Sequence, residues 1–216
     1  MKIILTIALI LFVLNSWAIS QNTAEDKDKL NRANSQLVTK YKLGEYDDAL
    51  KFAKIALDLA ISTFGADHVE TAKSYKNIGE IYRVKRKYRE SAENFQKAYL
   101  IYQKDIVRNG ELIGKILDSL GTVLALDGKK AEAEPLLLQA ASNAEAVFGK
   151  ETKETLPALK TLTSFYIYTK QYDKADDIFL RRYIIYSILE KKKRYCRTRI
   201  YSGRVRLLQR SAFSSR

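Results

Sequence analysis

A spacing of 42 residues runs through this chain and constrains its fold more than any other feature. Gly79 and Gly121 lie 42 apart (121 − 79), while Gly44 to Gly128 and Gly65 to Gly149 are each 84 apart (128 − 44 and 149 − 65). Ala56, Ala98 and Ala140 step by 42, and so do Ala133 and Ala175. Tyr46, Tyr88 and Tyr172 stand on one such ladder, with Lys130 at the missing rung. Six of the nine glycines therefore share one register, which marks an internal repeat rather than a chance alignment. Within one period, apolar residues recur twice at helical spacing: first Tyr75, Ile78, Ile81 and Tyr82, then Tyr88, Ala92, Phe95, Ala98 and Tyr99. Gly79 and Gly121 have no side chain to hold a facing helix away, and Ala49, Ser91, Ala133 and Ala175 are the small residues expected opposite. Pro135 and Pro157 fit this reading near helix starts, where the first N–H groups lack an intrahelical acceptor.

At these residues the chain resembles a tetratricopeptide-repeat (TPR) protein, specifically the 42-residue class typified by kinesin light chain. The second unit carries Tyr75, Ile78, Gly79, Tyr82, Tyr88, Ser91, Phe95 and Ala98. The third carries Leu117, Leu120, Gly121, Leu124, Gly128, Ala133, Leu137 and Ala140; the fourth carries Leu159, Leu162, Tyr166, Tyr172, Ala175 and Phe179. The connector 64–71 also looks like the linker of this class and recurs in degraded form at 148–155. The resemblance covers residues 25–190 and implies an all-α fold, a right-handed α–α superhelix (tetratricopeptide solenoid) of about four helix-turn-helix repeats. Two departures carry expectations of their own. Leu37 replaces the small residue of the first unit, so that helix pair is expected to sit further apart. Arg182 replaces a small residue of the fourth unit, where a covered charge would be costly, so the array is expected to end there with a wet, polar outer face.

The two ends differ from this pattern. Residues 1–20 have the layout of a signal peptide: Lys2, an apolar run from Ile3 to Leu14, then small Ala18 and Ser20 before a cut between Ser20 and Gln21. Twelve apolar residues (14 − 3 + 1) are too few to span a bilayer, which takes roughly 20. An uncleaved anchor is the alternative. Export to the periplasm or the extracellular space is the expectation. The formal charge of +13 invites a nucleic-acid reading, but residues 191–216 hold ten of the 38 cations and no acid. That leaves +3 for residues 1–190 (28 − 25), and +2 once Lys2 is removed. The array is nearly neutral, and no nucleic-acid partner is expected. For the basic tail two readings stand: an arm that docks on an anionic surface, the one route to membrane contact, or a solvated, disordered end such as a shifted reading frame would produce.

Catalytic chemistry finds few materials here. One Cys and one His leave no disulfide, no zinc site and little general-base chemistry. Gly121 to Gly128 followed by Lys129 has the wrong spacing for a phosphate loop, and His68 lies in a connector whose family counterpart is structural. The sequence thus predicts no catalytic, cofactor-binding or metal-binding residues, no small-molecule substrate and no enzyme. The resemblance implies instead a concave groove, lined by the first helix of each unit, that binds a protein or peptide. Carried over by register, the groove residues are Asn34 and Tyr41 in unit one; Lys73, Lys76, Asn77, Glu80 and Arg83 in unit two; Asp118 in unit three; and Lys160 and Tyr168 in unit four. The class repeats an Asn at the place of Asn77, where an amide can both donate to and accept from a peptide backbone; here its counterparts are Ser35, Ser119 and Thr161. Lys73, Lys76 and Arg83 favour an acidic or C-terminal carboxylate segment, unless they are ordinary solvated helix residues. An exported scaffold is the first reading. A sensor or adaptor segment of a larger peptidase-like or signalling effector, and surface attachment through the tail, are the alternatives.

Overall fold

The computed structural model describes residues 24–191. The signal segment, its cleavage point and the tail beyond Lys191 lie outside the described residues. Each unit pairs a first helix with a second. The first helices are α1 (24–42), α3 (Val69–Val84), α5 (Ile106–Leu126) and α7 (Leu156–Tyr168); the second helices are α2 (Tyr46–Phe64), α4 (Tyr88–Tyr102), α6 (Lys130–Phe148) and α8 (172–191). The pairs stack into a right-handed α–α solenoid. The apolar interior follows the stack in three clusters. Leu30, Ala33, Ala56 and Ala60 form the first; Leu37, Ala49, Ala53, Ile78 and Ile81 form the second; a longer one runs from Ala72 to Ile185. Each unit thus buries its faces within its own helix pair and against the adjacent units, as a one-dimensional array must.

The glycine ladder has separate causes at separate rungs. Inside each unit the turn needs one residue with positive φ: Gly44 (+78°) and Gly128 (+85°) in two units, Arg86 (58°) and Lys170 (61°) in the others. The connectors repeat closely. Gly65 and Gly149 have φ of +95° and +94°, and the hydroxyls of Thr71 and Thr155 donate to their carbonyls at 2.7 and 2.8 Å. His68 caps α3, its Nδ1 accepting from the Glu70 N–H at 3.2 Å while its ring stacks on Phe64. Between α4 and α5 a 3-10 turn, Gln103–Asp105, replaces the loop, and the buried Asn109 side chain donates to the Tyr102 carbonyl at 3.0 Å.

Gly79 and Gly121 mark close helix approach. A Cβ on Gly79 would lie 2.7 Å from the Phe95 ring; on Gly121 it would lie 2.7 Å from Leu137 Cγ and 3.3 Å from the Ala133 carbonyl. Ser91 does more than stay small, because its buried hydroxyl donates to the Gly79 carbonyl at 2.7 Å. Unit four departs from this geometry. Thr163 stands at the glycine's register position and is buried, its hydroxyl donating to the Leu159 carbonyl at 2.7 Å. Phe179, the register mate of Phe95 and Leu137, is 60% exposed where they are 0% and 1%. Helix α8 keeps Ala175 and Ile185 buried, at the registers of Ser91 and Ile101.

The exposed side of α8 modifies the expectation of a wet, polar outer face. Phe179, Leu180, Tyr183, Ile184 and Tyr186 of α8 are exposed, so its wet surface mixes large apolar residues with the charges Asp173, Lys174, Asp176 and Asp177. Arg182 is half-buried, and its Nε is sealed from water without a hydrogen-bond partner among the described residues. Pro135 also needs correction. Helix α6 begins at Lys130, which places Pro135 one turn inside, where it forfeits a backbone bond to Ala131 on an exposed face. Pro157 does sit at the first turn of α7.

Candidate functional site

The groove residues lie on first helices, so the 42-residue register sets them in rows across the array. Asn34, Lys76, Asp118 and Lys160 form one row; Tyr41 and Arg83 belong to another. In unit two the structure brings Glu80 and Arg83 together in an ion pair of 2.8 Å. Tyr41 is close by, and burial of its hydroxyl raises its pKa against the pull of Arg83. Lys73 pairs with Glu70 at 2.7 Å. Two of the three cations expected to receive an acidic segment are therefore already matched by carboxylates three residues earlier. Lys76 and Asn77 have no hydrogen bond or ion pair among the described residues and remain half-buried.

The counterparts of Asn77 serve the array itself. Ser119 donates to Glu80 Oε1 at 3.3 Å, and Thr161 donates to Asp118 Oδ2 at 3.2 Å. Both bonds cross from one unit to the next, so these hydroxyls tie neighbouring first helices together. At the far end Tyr168 is exposed beneath the Lys130 ammonium, 4.7 Å from its ring centroid, and lines a cavity of about 260 Å³ with Leu126, Leu137 and Phe165. Lys160 is exposed on α7. The row positions are thus spread along the array, with Tyr41, Glu80 and Arg83 in a close group and Asp118 near Glu80.

Register transfer does not reveal the cavity beside Asp118. About 240 Å³ of space opens between α5, α6 and α7, lined by Gly114, Asp118, Ala140, Asn143 and Pro157, with Glu111 and Glu154 at its edge. Burial pushes the Asp118 carboxyl up to about 6; nearby Glu80 adds to the shift and the Thr161 hydrogen bond opposes it. Among the described residues no group of three or more His, Cys, Asp or Glu is placed to hold a metal ion.

Residues 38–104 match the family model for the tetratricopeptide repeat. The array has the fold of a tetratricopeptide-repeat solenoid. Its fold is similar to BtubC (BKLC) from P. vanneervenii, with a TM-score of 0.66 at 14% identity over 74% of this chain; the chain spans 64% of that structure. It is also similar to the kinesin light chain TPR-like repeats of Podosopora anserina, with a TM-score of 0.64 at 15% identity over 79% of this chain and 85% of that one. A singly substituted form of the same repeats gives 0.67 at 15% identity, over 80% and 85%. No curated protein sequence matches the chain. The helical-repeat fold expected from the sequence is therefore the fold found, and a TPR fold is that of a protein-interaction scaffold.

Proposed function

We propose that this TPR solenoid is exported and binds a peptide segment of a partner protein in its concave groove, with Lys76 and Asn77 as the first polar contacts. The observation that carries this reading is their state: both lie half-buried on α3 with unused hydrogen-bonding capacity, while the charges around them are paired. An amide beside an ammonium suits an extended backbone that ends in, or carries, a carboxylate. The acidic preference rests mainly on Lys76, because Lys73 and Arg83 must share their charge with Glu70 and Glu80. Peptides selected from a random library against the full chain should bind it. They should lose at least about tenfold in affinity to the triple variant Lys76→Ala, Asn77→Ala, Arg83→Ala, since each lost hydrogen bond to a charged group is worth roughly 1.5–3 kcal/mol. Equal binding by the variant would remove the groove assignment.

Export has its own check. When the chain is expressed with a working secretion pathway, mass spectrometry of the accumulated protein should show Gln21 as the first residue. An intact Met1 in exported material would overturn the cleavage site, and retention inside the cell would overturn export.

A further inference from the structure

The cavity beside Asp118 combines three departures from the repeat in one place. At the register of Gly114 the other units carry Leu30, Ala72 and Leu156; at that of Asn143 they carry Leu59, Ile101 and Ile185; at that of Asp118 they carry Asn34, Lys76 and Lys160. Of these, Leu30, Ala72, Ile101, Leu156 and Ile185 are buried core residues. Unit three thus removes side-chain volume from α5 and replaces a buried aliphatic on α6 with an amide. It also adds a carboxylate where two of its neighbours have cations. The space is kept open by the glycine, since a Cβ on Gly114 would lie 2.6 Å from Asn143 Oδ1. Two acceptor atoms belong to this cavity's lining, Asp118 Oδ1 and Asn143 Oδ1; both are fully buried without a hydrogen-bond partner among the described residues. A buried polar atom without a partner costs about 1–3 kcal/mol, more when it is charged.

The electrostatics and walls narrow what could satisfy them. Glu111, Asp118 and Glu154 face the space against one cation, Lys115, which is itself paired with Glu111. The walls between acceptors and rim are largely aliphatic, with Ala140, Ala144, Pro157 and Ala158. Two unmatched acceptors at the end of an apolar passage call for a group that only donates, on an apolar stem. A lysine side chain has that form: three donors, no acceptor, and four methylenes that pack against apolar surface.

We propose that the cavity between α5, α6 and α7 is a binding pocket for a lysine side chain of a bound peptide, its ammonium donating to Asp118 and Asn143. This deepens the peptide-scaffold reading and rests on it, while using a different unit and the opposite charge from the Lys76 contact. The experiment uses the full chain, observed by NMR, with the probes acetyl-Ala-Ala-Lys-Ala-Ala-amide, the same peptide with norleucine in place of lysine, and n-butylammonium. The lysine peptide should shift resonances of Gly114 and Asn143 and bind at least about tenfold more tightly than the norleucine peptide, the factor expected for roughly 1.4 kcal/mol. Asp118→Asn should erase that difference. Gly114→Ala, which installs the residue that unit two carries as Ala72, should close the pocket and abolish the shifts while the chain still melts cooperatively. Equal binding of the two peptides, or undiminished binding by Asp118→Asn, would overturn the proposal. So would n-butylammonium binding as tightly as the lysine peptide, which would assign the pocket to free amines. Library-selected peptides that lose affinity to the Lys76 triple variant but not to Gly114→Ala would overturn this pocket alone and leave the groove reading intact.

Discussion

Phe95→Ala is expected to lower the unfolding free energy by about 3–5 kcal/mol, the range for truncating a fully buried aromatic. Phe179→Ala, at the same register position two units later, should cost no more than about 0.5 kcal/mol, as exposed substitutions do. Phe95 has no exposed surface and fills the recess over Gly79, whereas Phe179 is 60% exposed and its unit has Thr163 at the register of Gly79. The recess adds a second signature. Gly79→Ala should be destabilising in the native background, because its Cβ would lie 2.7 Å from the Phe95 ring, whose packing leaves little room to move. In the Phe95→Ala background the same substitution should become neutral or favourable, since the obstruction is gone and alanine is better than glycine in a helix by about 1 kcal/mol. The double-mutant cycle therefore predicts a coupling of about 2 kcal/mol between positions 79 and 95. Urea titrations of the four proteins measure it. Equal costs at Phe95 and Phe179, or additive effects at 79 and 95, would sink the recess as the device that seats second helices on first ones.

The contrast between these two phenylalanines shows what a sequence of this kind exposes and what it hides. The glycine ladder was legible because each rung answers a backbone demand that side chains meet badly: positive φ at Gly44, Gly65, Gly128 and Gly149, and close approach at Gly79 and Gly121. Such demands repeat with the fold. The exposure of Phe179 was not legible, because the pattern along α8 matches that of α4, whose Phe95 is buried. The pairing of Lys73 and Arg83 was available in principle: Glu70–Lys73 and Glu80–Arg83 are i,i+3 pairs on one helix face, the spacing at which opposite charges meet. Register transfer passed over it because a family position says what a residue faces, not which neighbour it is bonded to. The cavity beside Asp118 left its trace in mismatches. Gly114, Asp118 and Asn143 each look like ordinary repeat degeneracy, and only their packing on α5 and α6 shows that the three share one cavity.

Asp118 should also make the chain less stable as pH rises from about 4 to about 6, opposite to the usual effect of a paired carboxylate. Its pKa in the fold is about 6 against an unperturbed 3.8, so across this interval the folded state holds a proton that the unfolded state has released. Stability must then fall with rising pH until both states are ionised. A difference of roughly two pKa units corresponds to about 3 kcal/mol at most, and residual exposure brings the expectation to about 2 kcal/mol. The other carboxylates near it are Glu80, Glu111 and Glu154. Thr161 and Asn143 do not titrate, and Glu80 is paired with Arg83 and accepts from Ser119. Asp47, Asp48 and Glu134 have pKa values lowered first by hydrogen bonds from Lys85, Lys51 and Lys174, so their contributions grow as pH rises, opposite in sign to that of Asp118. Asp118→Asn should flatten the profile and exceed the native chain in stability at pH 8 by about 2 kcal/mol. Lysines at the same register, Lys76 and Lys160, avoid this cost because a long stem carries the charge to water, which the short side chain of aspartate cannot do. A carboxylate that weakens the fold at neutral pH is stabilised by whatever cation it receives. The lysine peptide should therefore raise the melting temperature more at pH 8 than at pH 5, where Asp118 is largely protonated. Thermal melts at about pH 4.5, 6 and 8, with and without that peptide, decide the matter: parallel profiles for the native chain and Asp118→Asn would show that the carboxylate is not strained by its burial.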